Sequence, residues 1–442
     1  MAIDTPALSL LEQEARALLT RLARVRSFAL HETMVPAAAL TLDAQMAIER
    51  YLAEGRRALR GLVGRYLSWL HGPAARAATP AEAQRRFTFL RLRFNAVLAH
   101  FDIFADVITQ RSEHRTGVWL AGLDVAAADA LALPDYFEPP PLACYLDRGH
   151  GAAIRRARTR LPGGGENPVA VIRVPRERMV GSGIASSLVH EVGHQGAAML
   201  DLVDSLRPEL RAMQEGDRRQ RAVWACWERW ISEIVADFWA VARVGVAATT
   251  GLLAVVSLPR VFVFKVRLDD PHPSPWIRVR LSAAIGAALY PDPQWARLSR
   301  IWEAFYPTSG LEPAHRALLH DLDAGIPAFV ELLLGHRPAS LRGRRLGAAL
   351  ASPDRRPEHL RDLFASWTER PALARRAPPA LVFAALGQAR ADNRLSPELE
   401  SHMLGELLKY WALRATLDRG EICAAPTPGA RRRPTNLPAL VS

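Results

Sequence analysis

The sequence predicts an α+β fold, predominantly helical, with a small sheet set between helical flanks. Three observations lead there. Apolar positions recur at three- and four-residue spacing in the amino-terminal part of the chain and again beyond Trp276. One short β-type run, Val169, Ala170, Val171, Ile172, Arg173 and Val174, interrupts that pattern and is closed by Pro175. Proline- and glycine-rich passages at 131–149, 163–168 and 269–275 supply the punctuation between elements.

Taken in order, residues 5–27 and 41–70 read as amphipathic helices. A third helix has a legible start, with Thr79 as N-cap, Pro80 in the first turn and Glu82 completing a capping box. Its stripe of Phe87, Leu90, Phe94, Val97 and Phe101 is a core face. The passage 131–149 reads as a connection, followed by the β-type run. A helix then starts at Ser182 and continues to about Leu206, and a second long one covers 221–245. The apolar stretch Val244 to Leu258 is bounded by Arg243 and Arg260. It falls short of the roughly 20 residues a membrane span needs, so a buried helix is expected. DDPHPSP must be a loop, because proline breaks both regular structures. The chain is helical again after Trp276, with breaks at 291–293, 306–310 and near His336, and 340–420 is basic and helical. The expected division is a helical region over 1–125, a connection over 126–164, a catalytic core over 165–335, a second helical region over 336–424 and a frayed tail over 425–442.

Composition narrows the function. Of 442 residues, 49% are hydrophobic and 23% charged, a globular balance large enough for two or three domains. The excess of 57 basic over 45 acidic residues gives a net charge of +12, spread in arginine pairs and triplets without a recognisable nucleic-acid motif. No nucleic-acid partner is expected. Three cysteines, Cys144, Cys226 and Cys423, lie too far apart for a disulfide framework or a cysteine-built zinc site. The amino terminus carries acids where a signal peptide needs basic residues and a clean apolar run. A soluble, cytoplasmic protein without a membrane span is expected.

The chemistry lies in SLVHEVGHQGAAML, residues 187–200. His190 and His194, four apart on a helix, project from one face and can bind one divalent ion. Glu191 beside them can serve as general base toward a water activated by that ion. In WISEIVADFWA, Glu233 and Asp237 repeat the four-residue spacing among Trp230, Ile234, Phe238 and Trp239. Carboxylates in such apolar surroundings need a cationic partner. Glu233 then completes a metal set with the two histidines, and Asp237 is placed to orient a ligating ring. The other reading is two helices with surface histidines and ordinary capping or salt-bridged acids.

The HExxH helix followed by a later ExxxD helix resembles the gluzincin metallopeptidases. The form Glu233-x-x-Ala236-Asp237, with His272-Pro273-Ser274 and Arg278 downstream, is similar to the CAAX prenyl endopeptidases and heat-shock membrane proteases. The resemblance covers about 165–290. It implies one zinc ion per chain held by His190, His194 and Glu233, with Glu191 as base and proton shuttle and Asp237 as orienter. It also implies places near the cleft for His272 and Arg278. The spanning helices of those relatives are absent, which implies a soluble form acting on a peptide or protein. The long step from His194 to Glu233 contains a charged stretch and then Trp224 and Trp227, an insertion expected beside the cleft.

The run 169–174 is the candidate substrate edge, with an interior strand as the alternative. Tyr290 and Tyr306 are alternative oxyanion donors, and Cys144 a candidate latency ligand. Besides a peptidase, the residues allow a zinc hydrolase of a non-peptide amide, which a pocket lined by Trp224, Trp227 and Trp230 would favour. They also allow an interaction protein that keeps the metal site without cleaving.

Overall fold

The computed structural model describes residues 5–28, 33–149, 151–161, 165–216, 220–267 and 269–424. Among the described residues, four helices open the chain: α1 (Thr5–Ala23), α2 (Leu42–Leu70), α3 (Pro73–Arg76) and α4 (Pro80–Ser112). α4 begins at the expected capping box, with Glu82 N donating to Thr79 Oγ1 at 3.3 Å and Thr79 N donating to Glu82 Oε2 at 2.8 Å. Phe87, Phe94 and Phe101 are buried along its length, so the aromatic stripe is core.

After α5 (His114–Leu131) come, among the described residues, three strands, β1 (Leu142–Asp147), β2 (Ala153–Arg155) and β3 (Ala170–Pro175). Two of them arise from the stretch expected to be a connection. The three prolines ahead of β1 end at Pro141, immediately before the apolar LACYLD run, so they precede a strand instead of preventing one. The strand order is β1-β3-β2, with β1 parallel and β2 antiparallel to β3. The run Val169, Ala170, Val171, Ile172, Arg173 and Val174 is therefore the middle of the sheet, which corrects its expected place as an edge. All of it except Arg173 is buried, as a nearly continuous apolar run covered on both faces should be.

The outer edge of β1 is closed by helix side chains. Gln110 donates to Leu146 O at 2.7 Å and accepts from Leu146 N at 2.8 Å. Arg111 donates to Cys144 O at 2.7 Å, while Asp124 accepts from Cys144 N at 2.7 Å. Arg111 and Asp124 also grip one another at 2.8 and 3.1 Å with both side chains buried. Among the described residues, the open edge of the sheet is β2.

α6 (Ser182–Met199), α7 (Leu202–Gly216) and α8 (Arg221–Val244) follow. The helix expected to run from Ser182 to about Leu206 is two helices, because Asp201 adopts φ of 53°, a left-handed conformation that aspartate tolerates and that ends a right-handed helix. α6 and α8 lie close together because Gly193 and Gly196 present no side chain. A Cβ at Gly193 would stand 2.8 Å from Ala236 O, and one at Gly196 2.6 Å from the Trp239 ring. The remainder is helical: α9 (Val246–Val256), α10 (Arg260–Val263), α11 (Pro275–Leu289), α12 (Gln294–Phe305), α13 (Pro313–Gly335), α14 (Leu346–Leu350), α15 (Pro357–Glu369), α16 (Pro371–Arg376), α17 (Pro379–Ala391) and α18 (Pro397–Ala424). α9 is the buried helix expected near 244–258.

One core extends from Leu120 to Trp411, joining α5, the sheet, α6 to α9 and the carboxy-terminal α17 and α18. Among the described residues no helix is long and apolar enough to cross a membrane. The tail expected to fray, 425–442, and part of the glycine run at 163–165 lie outside the described residues.

Candidate metal centre

Helical spacing builds the site twice over. On α6, His190 and His194 are one turn apart and their rings stand edge to face, with centroids 4.9 Å apart. On α8, Glu233 and Asp237 are likewise one turn apart, and the glycines of α6 let the two pairs meet. His190 Nε2 lies 3.3 Å from Glu233 Oε2, and His194 Nε2 lies 3.4 Å from Glu233 Oε1. Ligand atoms of all three residues fall within 4.8 Å of one another. Ligands about 2.1 Å from a tetrahedral centre are themselves about 3.4 Å apart, so the spacing suits a metal ion held between them. His190, His194 and Glu233 thus form a cluster able to coordinate a metal.

A second layer holds the first. His190 Nδ1 lies 2.8 Å from Asp237 Oδ1. Arg278, on the first turn of α11, donates to Asp237 Oδ2 from Nε at 2.6 Å and to Oδ1 from Nη2 at 2.9 Å. The same Nη2 reaches Glu233 Oε2 at 3.4 Å. His272 stands at the mouth. Its Nε2 is 3.5 Å from Glu233 Oε2, its side chain is 54% exposed, and Asp270 Oδ1 lies 2.7 Å from its Nδ1.

Electrostatics fit a cation. Burial pushes the Glu233 carboxyl up, but hydrogen bonds from His190 and His194 and the charge of Arg278 outweigh it and leave it far below the usual range. Burial likewise opposes the ionised form of Asp237, yet Arg278 and His190 bring it down to about 2. Burial would lower His190, but Asp237 and Glu233 raise it to about 9. Glu191 is different. Burial, with help from Glu233, raises its carboxyl despite the nearby histidines. When ionised, the three carboxylates of Glu191, Glu233 and Asp237 outnumber the one guanidinium by two charges, which a divalent ion balances.

The cleft, about 230 Å³, is lined by His190, Glu191, Glu233, Asp237, His272 and Arg278, together with groups that sequence reasoning missed. Ser186 and Ser187 precede His190 by four and three residues, a spacing that contained the signal. Ala240, Ala248, Leu252, Val255 and Ser282 come from α8, α9 and α11, and nothing local in the sequence marks them. No residue of 169–174 lines the cleft; Gly151 and Ala152, which lead into β2, do.

Other expectations are redirected. Trp224, Trp227 and Trp230 are buried, with Trp227 stacked on Phe329 at 4.8 Å, and none lines the cleft. Tyr290 OH donates to Ala242 O at 2.7 Å and Tyr306 OH to Leu258 O at 2.9 Å, so both hydroxyls are occupied away from the cleft. Cys144 is buried within β1, and burial pushes its thiol well up, which removes it as a latency ligand.

Compared with protein families, with curated proteins and with solved structures, the chain gives no match.

Proposed function

We propose that the protein is a cytoplasmic zinc-dependent metallopeptidase of the gluzincin type, hydrolysing peptide bonds with Glu191 as general base. The observation that carries this reading is the spacing of His190 and His194 around Glu233, with the buried carboxyl of Glu191 on the same cleft wall. His190, His194 and Glu233 would hold one zinc ion, which supplies Lewis acidity toward the scissile carbonyl and toward water.

Burial raises the Glu191 carboxyl, which suits a group that must take a proton and then release it. In this reading it accepts the proton of the attacking water and returns it to the leaving nitrogen. His272, braced by Asp270, donates to the developing oxyanion. Arg278 acts through Asp237 to hold the His190 ring. The open edge of β2, entered through Gly151 and Ala152, offers main-chain groups to an extended peptide.

A second reading is favoured by size alone. A cleft of about 230 Å³ is small, and a compact non-peptide amide would fit it. Elemental analysis of wild type and Glu233→Ala, followed by a peptide library and a set of small amides, tests both readings. About one zinc per chain, lost in Glu233→Ala, with peptide cleavage abolished in zinc-loaded Glu191→Gln, is the expected result. Wild-type protein that neither carries nor takes up zinc would overturn it.

A further inference from the structure

The basic run Arg155, Arg156, Arg158 and Arg160 has no part in the site described so far, yet it follows directly from the cleft wall through β2. Its backbone is firmly held. Gln195, next to His194 on α6, accepts from Ala157 N at 2.9 Å. Asn167 donates to Arg155 O at 3.0 Å and to Arg156 O at 2.9 Å. Gln195 and Asn167 are both buried, so the arginines are carried at a set position relative to the metal cluster.

Beside them lies a pocket of about 500 Å³ on the sheet face opposite α6, lined by Arg155, Arg156, Arg173, Tyr145 and Thr159 with Ile103 beneath. The register sets Tyr145 and Ala153 on either side of Arg173, and Arg155 beside Val171, so these side chains share that face. Asp147 approaches Arg173 Nη1 at 3.4 Å, but Arg173 Nε is buried without a hydrogen-bond partner. A buried N–H of this kind is costly unless an acceptor arrives.

We propose that this pocket binds carboxylate side chains of the substrate, so that preferred peptides carry acidic residues on the amino-terminal side of the scissile bond. The proposal rests on the peptidase reading above. With β1 closed by Gln110, Arg111 and Asp124, an added strand pairs with β2. Antiparallel pairing makes it run from the arginines toward Gly151 and the metal cluster, and at about 3.4 Å per residue three or four residues cover that step. Alternate side chains then face Arg155 and Arg173.

The test uses zinc-loaded Glu191→Gln protein and fluorescein-labelled octapeptides, read by anisotropy. One peptide has two glutamates in its amino-terminal half, one has them in its carboxy-terminal half, and one has glutamines instead. A single-stranded oligonucleotide serves as competitor. The amino-terminal glutamates should tighten binding about tenfold, with the gain shrinking as salt rises. Arg155→Ala/Arg156→Ala, at two exposed positions, and separately Arg173→Gln should abolish the gain while zinc content and unfolding midpoint are retained. Equal binding of all three peptides overturns the proposal. So does a preference for carboxy-terminal glutamates, a gain that survives both variants, or an oligonucleotide that binds more tightly than any peptide. Absence of zinc from the wild type would mark failure of the peptidase reading itself. Zinc-dependent cleavage without acidic preference would mark failure of this proposal alone.

Discussion

Arg278 holds Asp237 with two hydrogen bonds of 2.6 and 2.9 Å across a sequence separation of 41 residues, and Asp237 in turn lies 2.8 Å from the ring of His190. A fork-shaped guanidinium fixes both oxygens of the carboxylate, which a lysine's single ammonium does not do. The orientation of the candidate metal ligand His190 on α6 therefore depends on a residue of α11.

Arg278→Ala should lower zinc affinity by about 10- to 100-fold through loss of that orientation. Arg278→Lys should recover only part of it. Competition titration with a zinc chelator measures both, and unchanged affinity in Arg278→Ala would show that the pair has no influence on the ligand.

Zinc binding should depend on pH. Because neighbouring carboxylates raise His190 to about 9, the metal-free site keeps a proton on that ring through neutral pH. The proton must leave for the ring to ligate zinc. Apparent affinity should therefore rise by about tenfold per pH unit below about pH 9 and level off above it. Titrations at several pH values in a non-coordinating buffer check the slope, and a flat profile between neutrality and pH 9 would contradict it.

The same substitution should have opposite signs at two glycines. Gly196→Ala drives a methyl group into the Trp239 ring, 2.6 Å away, and should destabilise the fold by about 1–3 kcal/mol while weakening zinc binding. Gly64→Ala, on α2, meets nothing within 4 Å and should stabilise by up to about 1 kcal/mol through helix propensity. Denaturant unfolding of the two variants side by side gives both signs.

Arg111→Met leaves the Asp124 carboxylate buried without its guanidinium and opens the edge of β1. The expected cost is about 3–5 kcal/mol. Replacing both residues, Arg111→Met with Asp124→Leu, should recover part of that loss, because no uncompensated charge then remains. Unfolding midpoints of the single and double variants decide the matter.

Much of the metal cluster was legible because its information is local. HEVGH and EIVAD each place two ligand-type side chains on one helical face by the helix repeat alone, and the capping box at Thr79 marks the start of α4 for the same reason. The strand at 169–174 was legible as a strand, but its neighbours were not. β1 follows three prolines and β2 is three residues long, too short for any period to emerge. The cleft serines were half legible, one turn before His190, whereas Leu252 and Val255 reach the cleft only because α9 folds back onto α6.

By itself, the sequence determined the helical character, the local starts and stops, the two ligand-bearing helices and the need of their carboxylates for a cation. All of these follow from spacing within about one turn of chain or from the cost of burying charge. Only the tertiary structure decided that the β-type run is the centre of the sheet, that β2 is its open edge and that the tryptophans before Glu233 are core. It also decided that Gln195 ties an arginine run to the metal helix. These features depend on which distant segments meet. That outcome is set by packing and by satisfying backbone groups across the whole fold, which no local pattern encodes.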